Sequence, residues 1–273
     1  MFFMKYKAIA LDLDGTLLNS KKEISKNNKE TIMKAAKAGV KIILASGRPV
    51  PGVKKIAEQL HLREYGGYIL SYNGGMIIDC KTDEVLRRES VPMDYYADIV
   101  RIANKNSVTA LTYDSEGIIT TNKDDEYVQL EARINNIPVR EVFHLAEEAQ
   151  LNPPVKFLCT GAHKVLRQVE AQLNEKLNGA LTIFFSEPFF LEIMPQGIEK
   201  ASSLDILLNK LNIDRKALIA CGDGYNDIPM MRYAGLAVAM DNAQVETKEW
   251  ADYIAPSNDE DGVAVAIKKW LDI

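Results

Sequence analysis

The chain reads as an α/β protein: an open, largely parallel sheet built from two separated stretches, with an α+β domain inserted between them. Three observations carry this. Short apolar runs without polar alternation recur towards both ends, as expected of strands buried on both faces. Stretches of helical period separate them. From about Asp83 to Phe190 that rhythm gives way to a less regular succession of short strands and helices.

In chain order, Ala8–Leu11 is a strand, and Ser25 is placed to cap a helix that runs to Ala38 and closes at Gly39. Val40–Ala45 is the next strand, a helix follows Pro49, and Tyr68–Ser71 is a third strand. Asn73-Gly74 signals a tight turn into Met76–Asp79. The middle region reads as helix Asp94–Asn104, strands Val108–Tyr113 and Ile118–Thr121, and helix Glu126–Asn135. Strand Val155–Cys159, helix Lys164–Leu177 and strands Leu181–Ser186 and Phe189–Ile193 follow. The aromatic run Phe184-Phe185 and Phe189-Phe190 is expected in the core of the insert. After Pro195 the strand–helix rhythm resumes, with Ala217–Ala220 a further buried strand. The division expected is a core of residues 1–82 and 191–273 and an inserted domain of residues 83–190.

Composition narrows the class. The 273 residues carry 33 basic and 38 acidic side chains, a net charge of −5 that leaves no footprint for nucleic acid. Cys80, Cys159 and Cys221 form no CxxC and fit a reducing, cytoplasmic setting. Met1-Phe2-Phe3-Met4 is interrupted by Lys5 and Lys7 too soon for a signal peptide, and no apolar run is long enough to enter a membrane.

Four signatures follow runs read as buried parallel strands: Asp12-Leu13-Asp14-Gly15-Thr16 after Ala8–Leu11, Ser46-Gly47-Arg48 after Val40–Ala45, Lys200 after Phe189–Ile193, and Gly222-Asp223-Gly224-Tyr225-Asn226-Asp227 after Ala217–Ala220. Ligands bind at the carboxyl ends of such strands. Two pairs of carboxylates, a hydroxyl, a guanidinium and an ammonium would therefore meet in one crevice, equipment for a divalent metal and a phosphoryl group. Two adjacent carboxylates repel unless a cation or proton lies between them. Asp223 and Asp227, four apart, share a face if Gly224 starts a helix. Ser46-Gly47 before Pro49 offers free N–H groups to an anion. Lys200 opens a helix, where a cation opposes the dipole unless an anion joins it. The histidines His61, His144 and His163 adjoin no motif, and no GxxxxGK[ST] run exists. With oxygen donors alone, Mg²⁺ is the natural metal.

At these residues the chain resembles the haloacid dehalogenase superfamily of aspartate-nucleophile phosphatases. Within it, the Cof-type branch with a large α/β cap is nearest, and there the YidA-type sugar phosphatases. The resemblance runs over essentially the whole length. It rests on Asp12–Leu18, Ala45-Ser46-Gly47-Arg48-Pro49, Tyr72-Asn73-Gly74, Leu191-Glu192-Ile193, Gly222-Asp223, Asn226-Asp227, Val238–Ala243 and Asp261-Gly262-Val263-Ala264. Ser46 stands where threonine is frequent, which keeps the hydroxyl.

The resemblance implies a Rossmann-like parallel-sheet core with an inserted α+β cap that selects the substrate. It implies Asp12 as nucleophile and Asp14 as general acid/base. Mg²⁺ would be held by Asp12, Asp14 through its carbonyl, Asp223 and Asp227. Leu13 N–H, Ser46, Gly47, Lys200 and Asn226 would grip phosphate. Arg48 and the turn at Asn73 and Gly74 are expected on core loops facing the inserted domain, as secondary candidates for substrate contact. The activity expected is hydrolysis of small phosphorylated metabolites, sugar phosphates foremost. A phosphomutase or phosphotransferase with the same core, and a non-catalytic phospho-acceptor module, are the alternatives.

Overall fold

The computed structural model describes residues 5–271; the Met1–Met4 run lies outside them. The chain divides into two compact units. One holds the residues up to Arg48, Val53–Arg87 and Glu199 onward; the other holds Pro49–Gly52 and Arg88–Ile198.

The first unit is built on an eight-stranded sheet. Its order is Tyr253–Ala255, Leu236–Met240, Leu218–Gly222, Ala8–Leu11, Lys41–Ala45, Tyr68–Ser71, Met76–Asp79 and Val85–Arg88. The first six strands are parallel, and Met76–Asp79 returns antiparallel on Tyr68–Ser71. Ala8–Leu11 lies centrally with every residue buried, which is why it shows no alternation. From it the chain winds one way through Lys41–Ala45 and the other through Leu218–Gly222. The strand order therefore reverses beside Leu11, which pairs with Cys221. Asp12 and Asp223 leave adjacent strands at this switch point.

Helix Lys200–Leu211 packs on one face, with Leu204, Leu207 and Leu208 fully buried at helical spacing against Ala8, Ala10, Leu218 and Ala220. Burying each such leucine stabilises by about 1.5–3 kcal/mol, so this helix fixes its own first residue, Lys200, firmly against the sheet. Helix Lys26–Lys37 begins where expected: the Ser25 side chain accepts from Asn28 N–H.

The second unit contains a six-stranded sheet in the order Leu181–Glu187, Phe190–Pro195, Phe157–Thr160, Thr109–Tyr113, Ile118–Thr120 and Val139–Glu141. Helices Tyr96–Lys105 and His163–Leu177 share a core with Ala110, Phe157, Cys159, Leu191 and Ile193. Here one expectation fails. The run read as the buried parallel strand Phe189–Ile193 is Phe190–Pro195, antiparallel to both Leu181–Glu187 and Phe157–Thr160. Pro188-Phe189 is too short a connection for a parallel crossover and forces a hairpin. The two compact units divide in sequence at Arg87/Arg88 and Ile198/Glu199, with Pro49–Gly52 also belonging to the second. Of the aromatic run, Phe190 is buried, while Phe184, Phe185 and Phe189 are only partly so. Phe189 stacks on Tyr127 with centroids 5.1 Å apart, and Phe185 lies against His163 at 4.8 Å. Strand Val139–Glu141 and helix Leu145–Leu151 have no clear sequence signal.

Candidate active site

The four signatures all belong to the first unit, and three of them converge most tightly. Asp12 follows the central strand, its N–H bonded to the Cys221 carbonyl at 3.0 Å. Lys200 Nζ lies 2.6 Å from Asp12 Oδ1 and 2.6 Å from Asp227 Oδ1, with its side chain wholly buried. Carboxylate oxygens of Asp12, Asp223 and Asp227 all fall within 4.8 Å of one another. Thr16 Oγ1 donates to Asp223 Oδ1 at 2.7 Å and steadies the most accessible member of the group.

Asp223 and Asp227 meet, but not by sharing a helical face. Gly224 opens a single 3₁₀ turn, Tyr225–Asp227, ahead of helix Ile228–Tyr233. Asp227 Oδ2 reaches back to accept from the N–H groups of Asp223 and Gly224, both at 3.0 Å. The carboxylate thus caps its own turn with one oxygen and faces Lys200 with the other.

Three carboxylates around one ammonium leave negative charge in a buried place. Burial, reinforced by the charge of Asp227, pushes Asp12 well above the usual carboxylate range despite Lys200. Asp223 is raised to about 6, again chiefly by burial. Lys200 is held in its charged form: burial acts against the charge, but Asp12 and Asp227 overcome it. Such a cluster calls for further positive charge, and its all-oxygen donor set fits a hard divalent cation.

Asp14 has different company. Arg48 clamps its carboxylate with Nε and Nη2, both at 2.6 Å, and Lys22 Nζ adds a contact of 2.7 Å. Burial alone would raise its pKa, but these cations outweigh it and hold Asp14 below the ordinary value. Lys22 has no signal in the sequence beyond a polar loop.

The remaining candidates divide. Leu13 is buried between the aspartates, and its carbonyl accepts from Thr16 and Leu18 N–H. Ser46 is buried with its hydroxyl accepting from Arg48 N–H at 3.2 Å, so serine and arginine form one local turn. Gly47 lies close to Asn73: a Cβ at residue 47 would stand 3.3 Å from that amide. Asn226 Nδ2 donates to Asn73 Oδ1 at 3.0 Å, joining two signatures far apart in sequence. Gly74 is buried, and its carbonyl accepts from Ser203 Oγ at 2.6 Å. At φ +99 it brings the turn against the Lys200 helix, where an added Cβ would lie 2.6 Å from that hydroxyl.

A family model described as haloacid dehalogenase-like hydrolase matches residues 9–267. The Bacillus subtilis 5-amino-6-(5-phospho-D-ribitylamino)uracil phosphatase is 32% identical over 270 residues, covering 97% of this chain and 96% of that protein. The crystal structure of a haloacid dehalogenase-like hydrolase from Bacteroides thetaiotaomicron superposes with a TM-score of 0.95 at 46% identity, covering 97% and 99% of the two chains. A subclass IIB sugar phosphatase of the same superfamily gives 0.78 at 25% identity, covering 98% and 100%. Among the described residues, no helix is long and apolar enough to cross a membrane.

Proposed function

The chain belongs to the haloacid dehalogenase-like hydrolases and is a phosphatase, and from that premise we propose that it is a Mg²⁺-dependent phosphomonoesterase. Its substrates are small phosphorylated metabolites, sugar phosphates foremost, and it works through an aspartyl-phosphate on Asp12. The observation that carries this reading is the buried contact of Lys200 with Asp12 and Asp227, with Asp223 completing an oxygen cluster and Asp14 two residues from the nucleophile. Its relatives include a 5-amino-6-(5-phospho-D-ribitylamino)uracil phosphatase and a sugar phosphatase, in keeping with a small phosphorylated metabolite as substrate.

The roles are those the family resemblance implies, and the placement of the residues supports them. Asp12 attacks phosphorus, forming the acyl-phosphate and splitting one hard hydrolysis into two easier steps. Asp14, held ionised by Arg48 and Lys22 in the free protein, must give up those contacts and take up a proton before it serves the departing alkoxide; it then takes one from the water that cleaves the acyl-phosphate. Lys200 orients Asp12 and faces the negative charge of the transferring group, while the Ser46-Gly47 turn and Asn226 bind its oxygens. Asp12, Asp223, Asp227 and the Asp14 carbonyl would hold Mg²⁺, which supplies charge neutralisation for the phosphoryl oxygens. The inserted unit chooses among leaving groups.

A panel of phosphorylated sugars, polyols, nucleotides and cofactors, scored by phosphate release with Mg²⁺ and after chelation, tests the proposal. Release is expected from several sugar or polyol phosphates, with none after chelation. Asp12→Asn is expected to abolish it with the fold intact, and intact-mass measurement of Asp14→Asn with a good leaving group is expected to show added phosphoryl mass. Substantial turnover by Asp12→Asn sinks the assignment. Isomer interconversion on addition of a bisphosphate, in place of phosphate release, makes the protein a mutase.

A further inference from the structure

Two stretches that carry the resemblance, Val238–Ala243 and Asp261–Ala264, contribute nothing to the acidic cluster. Together with the residues between them, they hold the loop that leaves Asp14. At Gly15 the chain turns with φ +83, and a Cβ there would collide with the Asp223 carboxylate, so only glycine fits. The Gly15 carbonyl accepts from Asn242 Nδ2 at 2.8 Å. Asn242 Oδ1 in turn accepts from Asn258 N–H at 2.9 Å, and Asn258 Nδ2 donates to the Leu18 carbonyl at 2.8 Å. Leu18 N–H donates to the Leu13 carbonyl at 2.8 Å, so the loop folds back along the Asp12–Asp14 segment.

Further along, Asp259 accepts from the N–H and hydroxyl of Ser20 at 2.8 and 2.5 Å, and Asp261 accepts from the Ser25 hydroxyl and from Asn27. Lys22, whose ammonium touches Asp14, stands within this tethered stretch.

We propose that Asn242 and Asn258 are positioning residues for Asp14: by gripping the carbonyls of Gly15 and Leu18 they fix the backbone on which that carboxylate is carried. This rests on the reading of Asp14 as general acid/base of a phosphomonoesterase. Proton transfer needs the acid within hydrogen-bond reach of the leaving oxygen, and a displacement of about 1 Å is enough to cost on the order of a hundredfold. The Asp14 loop is a polar turn with little apolar packing beyond Leu17 and Leu18. Its placement therefore depends on hydrogen bonds to partners more than 200 residues away in sequence.

Asn242→Asp separates this role from a structural one. It preserves shape and the acceptor for Asn258 N–H but removes the donor to Gly15. Asn242→Leu removes both without adding charge near the cluster. The measurement is kcat/KM for the best alkyl phosphate of the panel and for p-nitrophenyl phosphate, whose leaving group departs without protonation. Both variants are expected to lose about tenfold or more on the alkyl ester and little on the aryl ester, with thermal midpoints near that of the wild type. Equal losses on the two esters, or no loss on either, overturn the proposal. Asp12→Asn, measured beside them, separates the two readings. If it keeps activity, the nucleophile assignment falls and this inference with it; if it is dead while the Asn242 variants lose both esters equally, this inference alone falls.

Discussion

Lys200 sits at the first position of its helix, where the dipole disfavours a cation, and it is wholly buried. It is tolerated because Asp12 and Asp227 lie at contact distance, and those acids are tolerated in part because of it. The balance remains acidic, which ties the site to pH. Folded-state pKa values of Asp223, about 6, and of Asp12 lie above their unfolded values, so folding of the metal-free protein favours their protonated forms. For Asp223 that contribution is complete below the unfolded carboxylate pKa of about 3.9 and is lost as pH rises through about 6, and that of Asp12 runs in the same direction. On the proposed function, Mg²⁺ would bind the deprotonated cluster and run the other way. Its stabilisation of the protein is expected to be slight at about pH 5 and substantial at about pH 7.5, read as the difference in thermal midpoint with and without the metal. A difference independent of pH would mean that Asp12 and Asp223 do not receive the ion. Asp12, Asp223 and Asp227 can be singled out from sequence because carboxylates just after a buried strand are chemically conspicuous, whereas Lys200 is conspicuous as a cation opening a helix, not through the strand read before it. Lys22 and Thr16 cannot, since a lysine in a polar loop and a threonine after a glycine look the same whether or not they touch an acid.

Elements are legible where local rules decide them. The cap at Ser25, the helix Glu126–Asn135 and the buried strand Ala8–Leu11 follow from side-chain oxygen placement, helical period and unbroken apolarity. The partner of a strand is set by its connections and by tertiary pairing, and this is why apolarity alone places Phe190–Pro195 in the wrong sheet. Val139–Glu141, three residues with exposed Arg140 and Glu141, offers too little apolar pattern to be recognised. The turn Tyr72–Gly74 shows how an element can support a site through the protein's own contacts. Gly74 lets the hairpin pack against Ser203 on the Lys200 helix, and Asn73 reaches Asn226. Gly74→Ala places a methyl group 2.6 Å from Ser203 Oγ and 2.9 Å from the Glu199 carbonyl, in a backbone conformation that alanine resists. It is expected to destabilise by about 1–3 kcal/mol in urea unfolding and to slow turnover by shifting the start of that helix. Wild-type stability would show that the turn has room to move away.

At the scale of the whole molecule, the proposed function puts the chemistry in one unit, to which every substrate would present the same phosphoryl group. Discrimination among leaving groups must then come from side chains that do not handle phosphate. The second unit carries a conspicuous pair. Helices cover one face of its sheet through Phe157, Cys159, Leu191 and Ile193, so alternation places Lys156 and Glu192 on the opposite face. Lys156 Nζ lies 3.1 Å from Glu192 Oε1, both side chains are at most 9% exposed, and the buried Glu192 Oε2 has no hydrogen-bond partner. A half-satisfied buried ion pair is a poor source of stability: removing one partner costs about 3–5 kcal/mol, whereas replacing both by apolar residues of like volume is often neutral. Buried as it is, the pair bears on selectivity only through the neighbouring side chains it holds in place, and its double replacement separates folding from selectivity. Lys156→Met with Glu192→Leu is expected to keep the thermal midpoint and the inhibition by inorganic phosphate, while the ranking of sugar and polyol phosphates by kcat/KM changes. A ranking identical to the wild type, in a folded double variant, would return the pair to a purely structural role and leave selection to other residues of the unit.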